Sequence, residues 1–212
     1  MQGGTIHGTV QQNQEKKGPE SSVDEKTLEK VARYQSKGHQ VIRDLRVKTL
    51  GKVESYIEGR VYCKLSDTEI DVDLYGDVPI EYAEKCAEAM NSMSEELVDA
   101  ICCAAKKYCL EYLDAVGGAE LNEINLTIPV NENTPPLEML KCFDIGTLII
   151  DVPKDPSRTG YQLSGNCDWE EEHGIEIVIL DDRLVYLGEF TDESPWTDHS
   201  EESWNAAVSV DQ

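Results

Sequence analysis

Thr68-Glu-Ile-Asp-Val-Asp-Leu-Tyr75 sets Ile70, Val72 and Leu74 on one side of the chain and Glu69, Asp71 and Asp73 on the other. This alternation is the period of a strand with one face on a core and one face in water. A few residues later the period changes. Ile80, Ala83, Ala87 and Met90 recur every three or four positions, which is the spacing of one helix face.

The reading extends outward from this switch. Upstream, Val41 to Val47 and Glu54 to Leu65 are strand candidates, with Ser66-Asp67 as a short hairpin turn before the Thr68 strand. Thr27 to Gln35 carries Leu28, Val31 and Tyr34 at helical spacing. Downstream, Ser92-Met-Ser-Glu95 has the spacing of a capping box. The helix it would open bears Leu97, Ile101, Ala104, Ala105, Tyr108, Tyr112 and Leu113 on one face, and Gly117-Gly118 would stop it. Residues 117–136 read as a linker or long loop, and Leu137 to Phe143 as a helical turn. Gly146 to Val152, Tyr161 to Cys167, Gly174 to Leu180 and Arg183 to Leu187 read as four short strands, the last two joined by a tight turn at Asp181-Asp182. Runs of strands separated from a run of helices predict an α+β fold: antiparallel strands, a two-helix insertion, then a C-terminal antiparallel hairpin sheet. The expected segments are a flexible tail at 1–25, a first half at 26–118, a second half at 137–190 and an acidic tail at 191–212, as separate units or as one domain.

Charge narrows the function. The 212 residues hold 42 acids and 19 bases, a formal net charge of −23. So acidic a chain repels phosphate, which argues against nucleic-acid and anionic-membrane partners. The excess is uneven: residues 117–212 carry 21 acids and four bases, and 168–202 carry 13 acids and only Arg183 as a base. No long apolar run and no signal-peptide pattern is visible, and the seven cysteines include no C-x-x-C pair. Reduced core cysteines in a cytoplasmic protein are the expectation.

The densest acidic stretch is Cys167-Asp168-Trp169-Glu170-Glu171-Glu172-His173-Gly174. Three readings stay open. It is a solvated turn in which Gly174 takes a positive φ and Trp169 covers the end of the core. Or it is a partner surface, with Trp169 as anchor, Gly174 as pivot, and Glu170, Glu171, Glu172, His173, Asp181 and Asp182 around it as steering groups. Or it is a divalent-cation site built from Asp168, Glu172 and His173, with Glu170, Asp181 and Asp182 as further oxygen donors. A second candidate is Glu189 to Trp204, where acids alternate with aromatics. It either inserts Trp196 and Trp204 into a partner or folds them back onto the sheet. Asp71, Asp73 and Asp77 form either a solvated face or a weak cation cluster.

The run Asp168 to Gly174, followed by the strand Ile175 to Leu180, the turn Asp181-Asp182-Arg183 and Leu187-Gly188, resembles a family of bacterial domains of unknown function. That family is typified by a Trp-(Asp/Glu)-Glu-Glu-His-Gly turn before a hairpin. Some members resemble immunity proteins of toxin systems, and the resemblance implies a small cytosolic binding domain. The Asp-Asp-Arg turn, the long N-terminal tail and the acidic C-terminal extension depart from the pattern.

Catalytic signals are weak. Cys167 and His173 are the one neighbouring thiol–imidazole pair, and surrounding carboxylates would raise the thiol pKa. No G-x-S-x-G, phosphate-binding glycine loop or H-E-x-x-H is present. The expectation is a non-enzymatic acidic domain without a cofactor, binding a basic protein, with cation binding by the same acids as the alternative.

Overall fold

The alternation at Thr68 is realised in strand β3 (Thr68–Leu74). Its Ile70, Val72 and Leu74 are buried, and its Glu69 and Asp71 are exposed. The computed structural model describes residues 25–37, 40–50, 54–117, 124–200 and 204–209. The tail expected at the N-terminus, His7, His39 and Gly118 fall outside them. In this structure β3 belongs to a seven-stranded sheet whose spatial order follows the chain: β1 (Arg43–Leu50), β2 (Glu54–Cys63), β3, β4 (Phe143–Ile150), β5 (Gly160–Cys167), β6 (Ile175–Leu180) and β7 (Leu184–Gly188). All neighbours pair antiparallel except β3 and β4, which run parallel with Val72 opposite Leu148 and Leu74 opposite Ile150. The fold class is α+β. The parallel junction merges the two strand sets into one sheet.

A parallel pair cannot be joined by a tight turn; it needs a crossover, usually helical. Helices α2 (Ile80–Met90) and α3 (Glu95–Val116) supply most of it, and a 3-10 turn at Pro136–Lys141 completes it. The helices bury Ile80, Ala83, Ala87 and Met90, then Leu97, Ile101, Ala104, Ala105 and Tyr108, in the core with Ile70, Val72 and Leu74. Ser94, not Ser92, is the N-cap of α3: its Oγ accepts from the Leu97 N–H at 3.1 Å. The expected box is displaced because the Ser92 N–H is already used, donating to Ala89 at the close of α2. Within the stretch read as a linker, Ile124, Leu126, Ile128 and Val130 alternate inward and pack on the core as an extended segment. A further helix, α1 (Glu25–Gln35), is tied to α2 through Glu84, which accepts from the Tyr34 hydroxyl and from the Val41 N–H.

The opposite face of the sheet is treated differently at its two sides. Across β1 to β3 it carries ion pairs in register, Arg46 with Glu58 and Arg60 with Asp71. Away from this face, in the connection from β3 to α2, Asp77 pairs with Lys26 and Lys30 of α1. Across β5 to β7 the face is covered: Gln162, Glu176, Val178 and Tyr186 are buried. Residues 189–200 form the cover. The fully buried Glu176 carboxylate accepts from the N–H groups of Thr191 and Glu193, both at 3.0 Å. The Tyr186 ring lies against His199 and its hydroxyl donates to the Glu189 carbonyl. Trp196 packs over Gly160, where a Cβ would come within 2.8 Å of the indole. Asn205 then takes the Leu187 N–H (3.2 Å) and donates to the Val185 carbonyl (2.9 Å), so its amide occupies the outer edge of β7 as a strand would. Of the two readings of the acidic-aromatic segment, Trp196 follows the one that folds back.

Close backbone approach fixes the register between β4 and β5. A Cβ at Gly165 would sit 1.7 Å from the Asp144 carbonyl oxygen, beside the irregularity between Ile145 and Thr147. Gly165→Ala is expected to cost about 3 kcal/mol or more, measured as a shift of the urea midpoint, because only a backbone movement can relieve the clash.

A second prediction concerns pH. Burial pushes the Glu176 carboxyl up from 4.5 to about 7, and neighbouring Asp192 and Glu193 push the same way against the two N–H bonds. Burial likewise raises Asp73 from 3.8 to about 6. In the folded state these groups hold protons that the unfolded chain has released. Their contribution therefore favours folding below about pH 4.5 and is lost as pH rises toward 7. The Glu176 part is on the order of 3 kcal/mol. Glu176→Gln should flatten the fall in stability between pH 5 and about 7.5 in denaturant titrations while lowering stability at pH 5, since one of its two N–H partners then faces an amide NH₂.

Candidate functional site

Strand β5 ends at Cys167 and β6 begins at Ile175, so the acidic motif is the loop between them. Its first apolar residue, Trp169, is 1% exposed and meets Tyr108 of α3 edge-on, with ring centroids 5.5 Å apart at 85°. Burial of this indole pulls the loop onto the core. Glu170 follows it inward at 5% exposure. Its carboxylate accepts from three backbone N–H groups: Glu172 at 3.0 Å, His173 at 2.6 Å and Gly174 at 2.9 Å. These are loop donors that no strand pairing would satisfy, and a buried donor left unpaired is costly. Gly174 closes the loop at φ +69°, where a Cβ would lie 2.2 Å from the Gly165 carbonyl oxygen.

Trp169, Glu170 and Gly174 therefore build the loop and offer no surface to a partner. Of the two roles expected for Trp169, its burial against Tyr108 accords with that of a lid over the end of the core. Glu171, Glu172 and His173 are exposed. The Cys167 thiol is buried and donates to the Glu170 carbonyl, and burial pushes it up to about 12. It is a protonated thiol at neutral pH rather than an activated nucleophile.

Beside the loop lies a groove of about 470 Å³ bordered by Asn125, Thr127, Lys141, Asp144, Asp168 and Glu171. Asp168 accepts from the Thr127 N–H at 2.7 Å and donates its own N–H to Cys142 at 2.9 Å, so it straps the extended segment to the loop. Lys141, the one base among the lining residues, is paired with Glu138. Asp144, Asn125 and Lys141 come from sequence-distant segments, and nothing in the local pattern of the motif pointed to them.

The two acidic clusters expected to act together are separated. Asp181 and Asp182 lie past the far end of β6, whose six residues span about 20 Å at the usual rise. Asp181 has φ +58°, binds the Arg158 guanidinium at 2.8 Å and accepts from the Thr159 N–H at 3.0 Å. Asp182 faces the Ser94 N–H at the start of α3. The set Asp168, Glu172 and His173 is not assembled either: Asp168 turns to Thr127, Glu172 faces solvent, and His173 Nδ1 lies 3.5 Å from Glu170. Among the described residues no three His, Cys, Asp or Glu side chains are placed to hold a metal ion. All seven cysteines are free thiols, six of them buried. Among the described residues no helix is long and apolar enough to cross a membrane.

Removing the buried acceptor tests the construction of the loop. Glu170→Ala is expected to cost about 2–4 kcal/mol by chemical denaturation, since three N–H groups lose their partner. It should also speed amide exchange at His173 and Gly174 before exchange in α3 changes.

Neither a curated protein nor a solved structure matches the chain. A family model described as "Domain of unknown function (DUF6985)" matches residues 46–194, from within β1 to the segment that covers β6. The match takes in the sheet from within β1 to β7, the crossover and the acidic loop, and the chain belongs to this family of domains of unknown function.

Proposed function

We propose that the protein is a non-enzymatic acidic binding domain of the cytoplasm that captures a basic protein in the manner of an immunity-type inhibitor. The observation that carries this reading is the acidic loop and its groove. Glu171 and Glu172 stand in solvent on a loop that Glu170 holds rigid from beneath, and Asp144 and Asp168 continue the negative surface. A fixed set of carboxylates binds cations with less ordering cost than a mobile acidic tail. The overall −23 adds long-range attraction. Free buried thiols accord with a reducing compartment. Asp181 and Asp182 act as separate steering charge, because the length of β6 exceeds the roughly 8–10 Å over which surface charges are felt at physiological salt. The cation-binding alternative draws no support from an assembled ligand set.

The test is charge reversal. The protein should retain a basic partner from cell extract at low salt and release it as salt rises. Glu171→Lys combined with Glu172→Lys should slow association with that partner about tenfold or more, with an unchanged melting temperature, since both side chains are exposed. Retention that ignores salt, or an unaltered association rate, would overturn the reading.

A further inference from the structure

A second cavity, of about 240 Å³, lies between the C-terminal part of α3, the segment just after β7 and Trp204. Tyr108, Tyr112, Ala115, Val116, Glu189 and Trp204 line it. Three of these six are aromatic, one is a carboxylate and none is a base. Tyr108 and Tyr112 stand one helical turn apart with centroids at 6.5 Å and planes at 81°, so they form two walls at nearly a right angle. Trp204 supplies a third wall. It is 58% exposed although its neighbours Asn205 and Ala206 are buried. Its exposure is not a loose end: Asn205 is pinned to Leu187, Val185 and the His199 carbonyl, and the Trp204 carbonyl packs against Gly188. A large indole is thus held in place with much of its surface unused.

The electrostatics of the cavity share one sign. Glu189 contributes its carboxylate, and its backbone is held by the Tyr186 hydroxyl. Ala115 and Val116 belong to the last turn of α3, a 22-residue helix with no basic residue in that turn. The carbonyl end of a helix carries partial negative charge and favours cations. An anion would be repelled. A purely apolar ligand would bury Glu189 without compensation. A bare metal ion would find one carboxylate and three rings. A primary ammonium brings three N–H donors to a single carboxylate. An alkylated ammonium offers diffuse charge and apolar methyl surface, which is what aromatic faces recognise.

We propose that this cavity binds an alkylammonium cation, either a quaternary amine in solution or a methylated lysine side chain of a protein. The site is distinct from the acidic loop and stands whether or not that loop binds a basic partner. The probes are choline, dimethylbutanol as its uncharged carbon analogue, and a short peptide carrying either trimethyllysine or lysine. Binding is read by calorimetry and by tryptophan fluorescence. Choline should bind about tenfold tighter than dimethylbutanol, the part of affinity that comes from charge over the rings. Trp204→Ala should abolish binding, and Glu189→Gln should weaken it several-fold. Both substitutions should leave the circular dichroism spectrum and melting temperature unchanged, because neither side chain is in the core. Tighter binding of the trimethyllysine peptide than of choline, with no binding of the lysine peptide, assigns the site to a protein tail; the reverse order assigns it to a free amine. Equal affinity for choline and dimethylbutanol, affinity that survives Trp204→Ala, or no binding of choline and the trimethyllysine peptide at millimolar concentration would overturn the proposal.

Discussion

The parallel pairing of β3 with β4 is the contact on which the rest of the molecule depends. Every other neighbour in the sheet is antiparallel and follows directly in sequence. This one joins strands separated by two helices and an extended segment, and its geometry demands that separation. Once Val72 lies beside Leu148, the crossover has to return over one face, and the apolar stripe of α3 becomes the cover of the core. The acidic loop sits where it does because Trp169, at the end of β5, finds Tyr108 on that helix. The aromatic cavity follows from the same placement, since Tyr108 also turns toward Tyr112 on the outer side.

The acidity of the chain has two physical roles that composition alone does not separate. Several carboxylates are acceptors for main-chain donors that the sheet leaves over: Glu170 serves the loop after β5, Glu176 holds residues 191–193, Asp168 takes Thr127, Asp181 takes Thr159, and Glu84 takes Val41. In a chain with many irregular connections such acceptors replace missing strand partners. Glu170 and Glu176 are interior and belong to the frame alone, whereas the half-buried Asp168 and Asp181 serve a backbone donor and also present charge at the surface. Glu171, Glu172 and Asp144 have no such task and remain as surface charge. Burial makes Glu176 an unusual member of the first group, because the face it supports holds more protons folded than unfolded.

The secondary structure was largely legible because it rests on local periodicity. The β3 alternation, the α2 and α3 stripes and the 181–182 turn all carry their signal within a few residues. The capping residue was misplaced by two positions, since Ser92 and Ser94 are equivalent cap formers and only the end of α2 discriminates between them. Residues 124–130 looked like a linker because Asn, Thr and Pro surround their alternating apolar positions. The lone acid in Ile175-Glu-Ile-Val-Ile-Leu180 was a visible sign that a second layer covers β6, for a charge in a fully buried strand requires partners. The candidate site was legible as composition only. Trp169 and Glu170 share the motif with Glu171 and Glu172, yet the first two are interior and the last two exterior.

The sequence by itself determined the elements, their order, the α+β class and the concentration of charge in the C-terminal half, because hydrophobic period and composition are local quantities. The tertiary structure decided which carboxylates are surface and which are internal acceptors. It also decided that the two acidic clusters lie at opposite ends of one strand, and that Tyr108, Tyr112, Glu189 and Trp204 share a cavity. Those outcomes depend on contacts between residues far apart in the chain. They are set only when one parallel pairing brings the two strand sets into a single sheet.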